Sequence, residues 1–296
     1  MVGEGQRRAP PEDDGAGALD LVSLSPPPHL RPMPDKPTDA WFPSADGSGP
    51  DPIKATQASM KTPAPKRFYK SASAEERDGS FALLLDGRPA HTPARRALSV
   101  PTRALGEALA GEWQAQGSEI DPSTMPLTRL VNSAIDGVAD RPEAVIDDLV
   151  RYAGSDLLCY RADEPERLVA EQGAAWDPVL DWARDALGAR FGLAEGVIPV
   201  EQPADAVAAV RRALERVPSP FGLAALHAMT TLTGSVLLTL AHADGAIDAG
   251  AAWEAAHVDE RHQERLWGED AEAGERRARR QTEFRAASDL YRLSRA

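Results

Sequence analysis

Cysteine is nearly missing from this chain: one residue, Cys159, stands in 296. A single thiol excludes an intramolecular disulfide and any zinc site built from several cysteines, and it fits a reducing compartment. Aromatic residues are scarce at 5%, so the 42% hydrophobic content is carried largely by Ala, Leu and Val, which suit helices. Positive charge is in deficit, with 33 Lys and Arg against 46 Asp and Glu and a formal net charge of −13. A nucleic-acid binder or a polybasic membrane-surface protein needs the opposite balance. The chain also lacks Gly-x-x-x-x-Gly-Lys-Ser/Thr, Gly-x-Gly-x-x-Gly, Gly-x-Ser-x-Gly and paired Cys/His ligands, so no cofactor or metal is expected. No apolar h-region opens it, and Glu4, Glu12, Asp13, Asp14 and Asp20 count against a mitochondrial transit peptide. The expectation is a soluble protein of the cytoplasm, and the acidic leader argues against the mitochondrial matrix.

What is present divides into three. Residues 1–65 are rich in Pro, Gly, Ser and Asp, with Pro26, Pro27, Pro28, Pro32, Pro34 and Pro37 barring helix or central strand. Such a segment reads as a disordered leader. Met60, just ahead of the first organised pattern, is expected to be the true start of translation.

Residues 66–140 have strand character first. Asp78-Gly79 and Asp86-Gly87 are two hairpin signals close together, which predicts a meander of short antiparallel strands. Thr102 can then cap a helix carrying Leu105, Ala108, Leu109 and Trp113 on one face. Arg88, Arg95 and Arg96 read as a solvated basic rim.

Residues 141–296 read as helix almost throughout. Pro142 opens one with Val145, Ile146, Leu149 and Val150, and Trp176-Asp177-Pro178 reads as the start of another. A third follows Pro203. The apolar run from Phe221 to Ala241 has the length of a membrane span. His227, several threonines and the lack of basic flanks favour one central helix buried on all sides, with no stable membrane insertion. The last helix is expected from about Asp248 onward, with Trp253, Leu266 and Trp267 as its apolar contacts. His257, Asp259, Glu260 and His262 lack metal-ligand spacing. Cys159 reads as a buried, inert thiol, and His227 and His242 as hydrogen-bonded core or rim groups.

Several strings share one resemblance. Glu112-Trp113-x-x-Gln116 is followed by Ile120-Asp121-Pro122, Met125-Pro126-Leu127-Thr128 and Asn132-x-Ala134-x-Asp136. Further on come Ser155-Asp156-Leu-x-Cys159-Tyr160-Arg161-Ala162 and Glu260-x-x-Gln263-x-x-x-Trp267-Gly268. Together with the opening Lys66-Arg67-Phe68-Tyr69-Lys70, they resemble the Atp12 family, assembly chaperones for the F1 part of ATP synthase. The resemblance implies an α+β fold, a small strand-rich N-terminal domain followed by a larger all-α domain. It also implies that the chain binds the newly made F1 α subunit until it pairs with β, is monomeric when free, and hydrolyses no ATP. Matched by motif, the partner-binding residues are Trp113, Gln116, Glu260, Gln263 and Trp267. The alternative is a carboxylate-dependent hydrolase using Asp259, Glu260 or Asp270.

Overall fold

The computed structural model describes residues 65–195, 200–268 and 270–295. The proline-rich leader and the start at Met60 lie outside the described residues.

Both Asp-Gly pairs close two-residue hairpins. Asp78 and Gly79 have φ of 50° and 75°, Asp86 and Gly87 of 48° and 78°, the paired left-handed geometry that matches the twist of the flanking strands. Strand β1 (Ala72–Arg77) pairs antiparallel with β2 (Ser80–Leu85), whose other edge takes β3 (Arg88–Pro89) and β4 (Ser99–Val100). Helix α1 (Arg103–Gln114) lies across this sheet, with the Thr102 hydroxyl accepting from the Leu105 amide at 3.2 Å. Gly106 sets the approach: a Cβ there would stand 2.9 Å from that of Ala74 and 3.1 Å from that of Phe81.

Helix α2 (Pro126–Asp136) packs on the sheet-covering helix at one end and on the helical body along its length. Helix α3 (Pro142–Gly154) leads to a short turn at Leu157–Cys159 and then β5 (Tyr160–Arg161). Helix α4 runs Glu166–Leu187, so Trp176-Asp177-Pro178 lies inside a helix and does not start one. The stripe Gln172, Trp176, Val179 and Ala183 is buried on one continuous face across the proline. Trp176 also donates its indole N–H to the Ala255 carbonyl at 2.7 Å. Tertiary burial here outweighs the helix-breaking cost of Pro178, about 3 kcal/mol.

Strand β6 (Ala194–Glu195) pairs parallel with β5, and α5 (Ala204–Glu215) follows Pro203. The apolar run 221–241 is two helices where one was expected: α6 (Pro220–Thr233) and α7 (Val236–Ala243). Gly234, at φ +72°, ends the first, and the Ser235 hydroxyl caps the second by accepting from the Leu238 amide at 3.0 Å. Asp156, fully buried, secures the break by accepting from the amides of Leu237 and Leu158, each at 3.1 Å. Burial nevertheless pushes its carboxyl up to about 6, against the pull of Ser235 and those amides. Among the described residues no helix is long and apolar enough to cross a membrane.

The single last helix is in fact three: α8 (Ala249–Ala256), α9 (Val258–Trp267) and α10 (Ala271–Leu293), broken at His257 and at Gly268, whose φ is +92°. Eleven of the fourteen residues of α6 are buried, which makes it the centre of the helical body. It is wrapped by α2, α3, α7 and α10, and one hydrophobic core runs without interruption from Tyr69 to Leu290. Cys159 is fully buried, and that burial raises its thiol far above the usual range. His227 meets Asp148 at 2.6 Å, and His242 meets the Ile247 carbonyl and the Ser288 hydroxyl.

Candidate partner-binding site

The junction motif is a brace between α1 and α2. Met125, at the start of α2, gives that helix no side-chain cap. Glu112 of α1 supplies one, accepting from the Leu127 amide at 2.8 Å, the Thr128 amide at 2.7 Å and the Thr128 hydroxyl at 2.6 Å. A carboxylate suits the positive end of a helix dipole. Burial still raises the Glu112 carboxyl, opposed by Thr128, Leu127 and Arg129. Gln116 is buried and uses its whole amide internally: its oxygen accepts from the Asp121 amide at 2.8 Å, and its nitrogen donates to the Thr124 hydroxyl at 3.0 Å and the Glu112 carbonyl at 3.3 Å. Trp113 is half-buried against Tyr69, ring centres 5.6 Å apart, and its carbonyl accepts the Tyr69 hydroxyl at 2.7 Å. A shallow cleft of about 340 Å³ opens beside them, lined by Glu112, Gln116, Glu119, Asp121 and Thr124 among others.

The α9 residues are arranged otherwise. The helix buries only Val258 and His262. Polar links hold it on α4: Asp259 accepts from the Gln172 amide nitrogen at 2.7 Å, and Glu171 takes Arg265 and, at 3.4 Å, His262. Glu264 pairs with Arg277 of α10. Glu260 and Gln263 are exposed, Trp267 is 84% exposed and Leu266 is 63% exposed. Leu266 and Trp267, expected to anchor this helix, therefore stand in water. The α9 face that meets α4 carries Val258 and His262 instead, and a large indole at the last residue before Gly268 has no element to pack on.

Glu260 has a distinctive environment. Crowding on its protein side and repulsion by Asp259 raise its carboxyl, while Arg280 and Arg277 pull the other way. Its one hydrogen bond is to its own backbone amide. Arg280 donates instead to the Leu232 carbonyl at 2.7 Å and is itself lowered by burial. Further along, Arg129 bonds Glu283 at 2.8 Å. Charges therefore alternate from Glu112 through Arg129, Glu283 and Arg280 to Glu260, joining the two motif groups across α2 and α10. The seam is under-satisfied: the Nε atoms of Arg129 and Arg280 and the Asn132 amide oxygen are buried without hydrogen-bond partners.

Sequence reasoning selected Glu260 at one end of this seam, carried Glu112 at the other only as a member of a motif string, and missed the middle. Glu112 sat inside a recognised string, and its carboxylate fourteen residues before an uncapped Pro-Leu-Thr helix start was the available signal. Arg129, Arg280 and Glu283 carried none, because their pairing crosses 154 residues in the case of Arg129 and Glu283. The three acids of the hydrolase alternative do separate jobs: Asp259 holds Gln172, Asp270 caps α10 through the Glu272 amide, and Glu260 faces the arginines.

A small sheet packed against a helical body, with Glu260, Gln263 and Trp267 exposed on a polar outer helix, defines an α+β protein. The comparisons give that class its family. The ATP12 chaperone protein family matches residues 66–184. The Atu1473 protein of Agrobacterium tumefaciens is 50% identical, with a TM-score of 0.76 over 83% of this chain and 92% of its own. Atp12 of Paracoccus denitrificans is 43% identical, with a TM-score of 0.72 over 78% of this chain and 98% of its own. The mitochondrial Atp12 protein of Schizosaccharomyces pombe is 25% identical over 233 residues, 73% of this chain and 80% of that one. This chain belongs to the ATP12 chaperone family, which is a family of chaperones and not of enzymes.

Proposed function

We propose that this chaperone serves assembly of the F1 sector of ATP synthase, holding the unassembled α subunit until it pairs with β. The observation that carries the reading is α9: a carboxylate without an ion pair, an amide and an indole stand exposed on a helix anchored by its opposite face. Unassembled subunits expose apolar interfaces that aggregate until covered. A monomer in the bacterial cytoplasm, with Trp267, Gln263 and Glu260 as contacts and Trp113 and Gln116 shaping the junction behind them, meets that need. Gln116 contributes through the geometry it fixes, since its amide is buried and already bonded to Asp121, Thr124 and Glu112.

Co-purification from native lysate with the tagged full chain tests this. Enrichment of F1 α over β in the eluate is expected. Recovery of β alone, or of neither subunit from lysate containing free α, refutes it.

A further inference from the structure

Helix α9 meets the body through the face that carries Val258 and His262. Glu260, Gln263 and Trp267 follow at i, i+3 and i+7 and share another face. Trp267 and Leu266 make its end apolar and exposed. Around them the positive charges are already engaged. Arg261 is held by Glu254, Arg265 by Glu171, Arg276 by Glu272, Arg277 by Glu264 and Arg279 by Glu275. Arg280 gives its guanidinium to the Leu232 carbonyl. Among the described residues of α9 and the first half of α10, the carboxylates left without an ion pair are those of Asp259, Glu260 and Asp270. Asp259 is committed to Gln172 and Asp270 to its helix cap. Glu260 is exposed, forms no ion pair and bonds only its own backbone amide, with Arg277 and Arg280 acting on it from the protein side.

We propose that α9 recognises a two-point epitope on an amphipathic helix of its partner: an apolar side chain received by Trp267 and Leu266, and an arginine or lysine received by Glu260. The two points lie seven residues apart on α9, about 10 Å. A partner helix matches that distance with side chains at i and i+7 on one face. An extended strand brings same-face side chains to about 7 or 13 Å and misses it. Charge complementarity disfavours a second copy of this chain, whose net charge of −13 repels an identical acidic surface. This rests on the chaperone reading above and specifies what the chaperone reads.

The test uses the full chain and fluorescein-labelled 16-residue Ala/Gln helical peptides carrying one Leu and one Arg. In one peptide the two are seven residues apart, in the other five, which turns the Arg to the opposite side. Polarisation titration is expected to show the seven-spaced peptide binding about 10-fold tighter. Glu260→Gln should bring the two peptides within about 2-fold of each other, and Trp267→Ala should weaken both. Equal affinities, absence of binding, or a concentration-dependent dimer in sedimentation that Trp267→Ala abolishes would each overturn the proposal. If the peptides fail while F1 α still co-purifies, the epitope is wrong and the chaperone reading stands. If the peptides behave as expected and F1 α is not captured, the surface stands and the partner's identity falls.

Discussion

The α6 body and the α9 arm are built on opposite principles. Eleven of fourteen residues are buried in α6, against two of ten in α9 and three of twenty-three in α10. The body is held by apolar contact, which is strong and is not screened by salt. Ion pairs and single hydrogen bonds hold the arm, and such exposed contacts are each worth little and are screened. The difference sets stability apart from the proposed recognition: the residues proposed to meet a partner are those that contribute least to the buried core.

Substitutions should break or sharpen that division. The largest effect is expected in the body, where Leu226 is fully buried. Leu226→Ala should cost about 3–4 kcal/mol in chemical denaturation and lower partner capture only as far as it unfolds the chain. The joint between body and arm should respond to acid. His257 is buried against Trp253, and burial, with Arg280 and Arg277 nearby, lowers its pKa to about 4. Its neutral ring therefore adds stability that is complete above its unfolded value near 6.5 and is lost as pH falls through 4, roughly 3 kcal/mol over the whole range. Asp156, raised to about 6, acts in the opposite sense: its contribution is complete below its unfolded value near 3.8 and is lost as pH rises through 6. The two offset one another between pH 4 and 6. His257→Gln should expose the Asp156 term, so that denaturation midpoints rise on acidification across that window; a midpoint that still falls would remove His257 from the account.

A smaller loss is expected at the brace. Glu112→Ala strips the caps from Leu127 and Thr128 and should cost about 2 kcal/mol, with Glu112→Gln recovering part of it in the same melts. Smallest of all is the arm. Glu260→Lys and Trp267→Ala should shift stability by less than about 0.5 kcal/mol while sharply reducing recovery of the partner in pull-downs. A large drop in the melting midpoint would make Glu260 or Trp267 part of the scaffold and dissolve the comparison.

Much of the body was legible in the sequence, and the reasons are local. Two Asp-Gly turns, the Thr102 cap and the Pro142 start each specify their element through a few neighbouring residues. The failures differ in cause. Pro178 inside α4 was decided by a distant partner, the Ala255 carbonyl that holds Trp176, whereas the division of 221–241 follows a local stop-and-cap pair, Gly234-Ser235, that the long apolar run masked and that the buried Asp156 reinforces. At the candidate site the family strings marked Glu260 and Trp267. Neither their exposure nor the burial of Gln116 could be read from spacing, because both depend on what other segments bring alongside.

The Thr102 hydroxyl, besides capping α1, donates to the Leu293 carbonyl at 2.6 Å, tying the sheet-covering helix to the far end of α10. A ribosome makes these two groups 191 positions apart. Helix α10 also supplies Phe284, Ala287 and Leu290 to the interior, so the walls it seals are synthesised long before the seal. During its own production this chaperone passes through the condition it is proposed to relieve in another protein: apolar side chains already made, waiting for the piece that covers them.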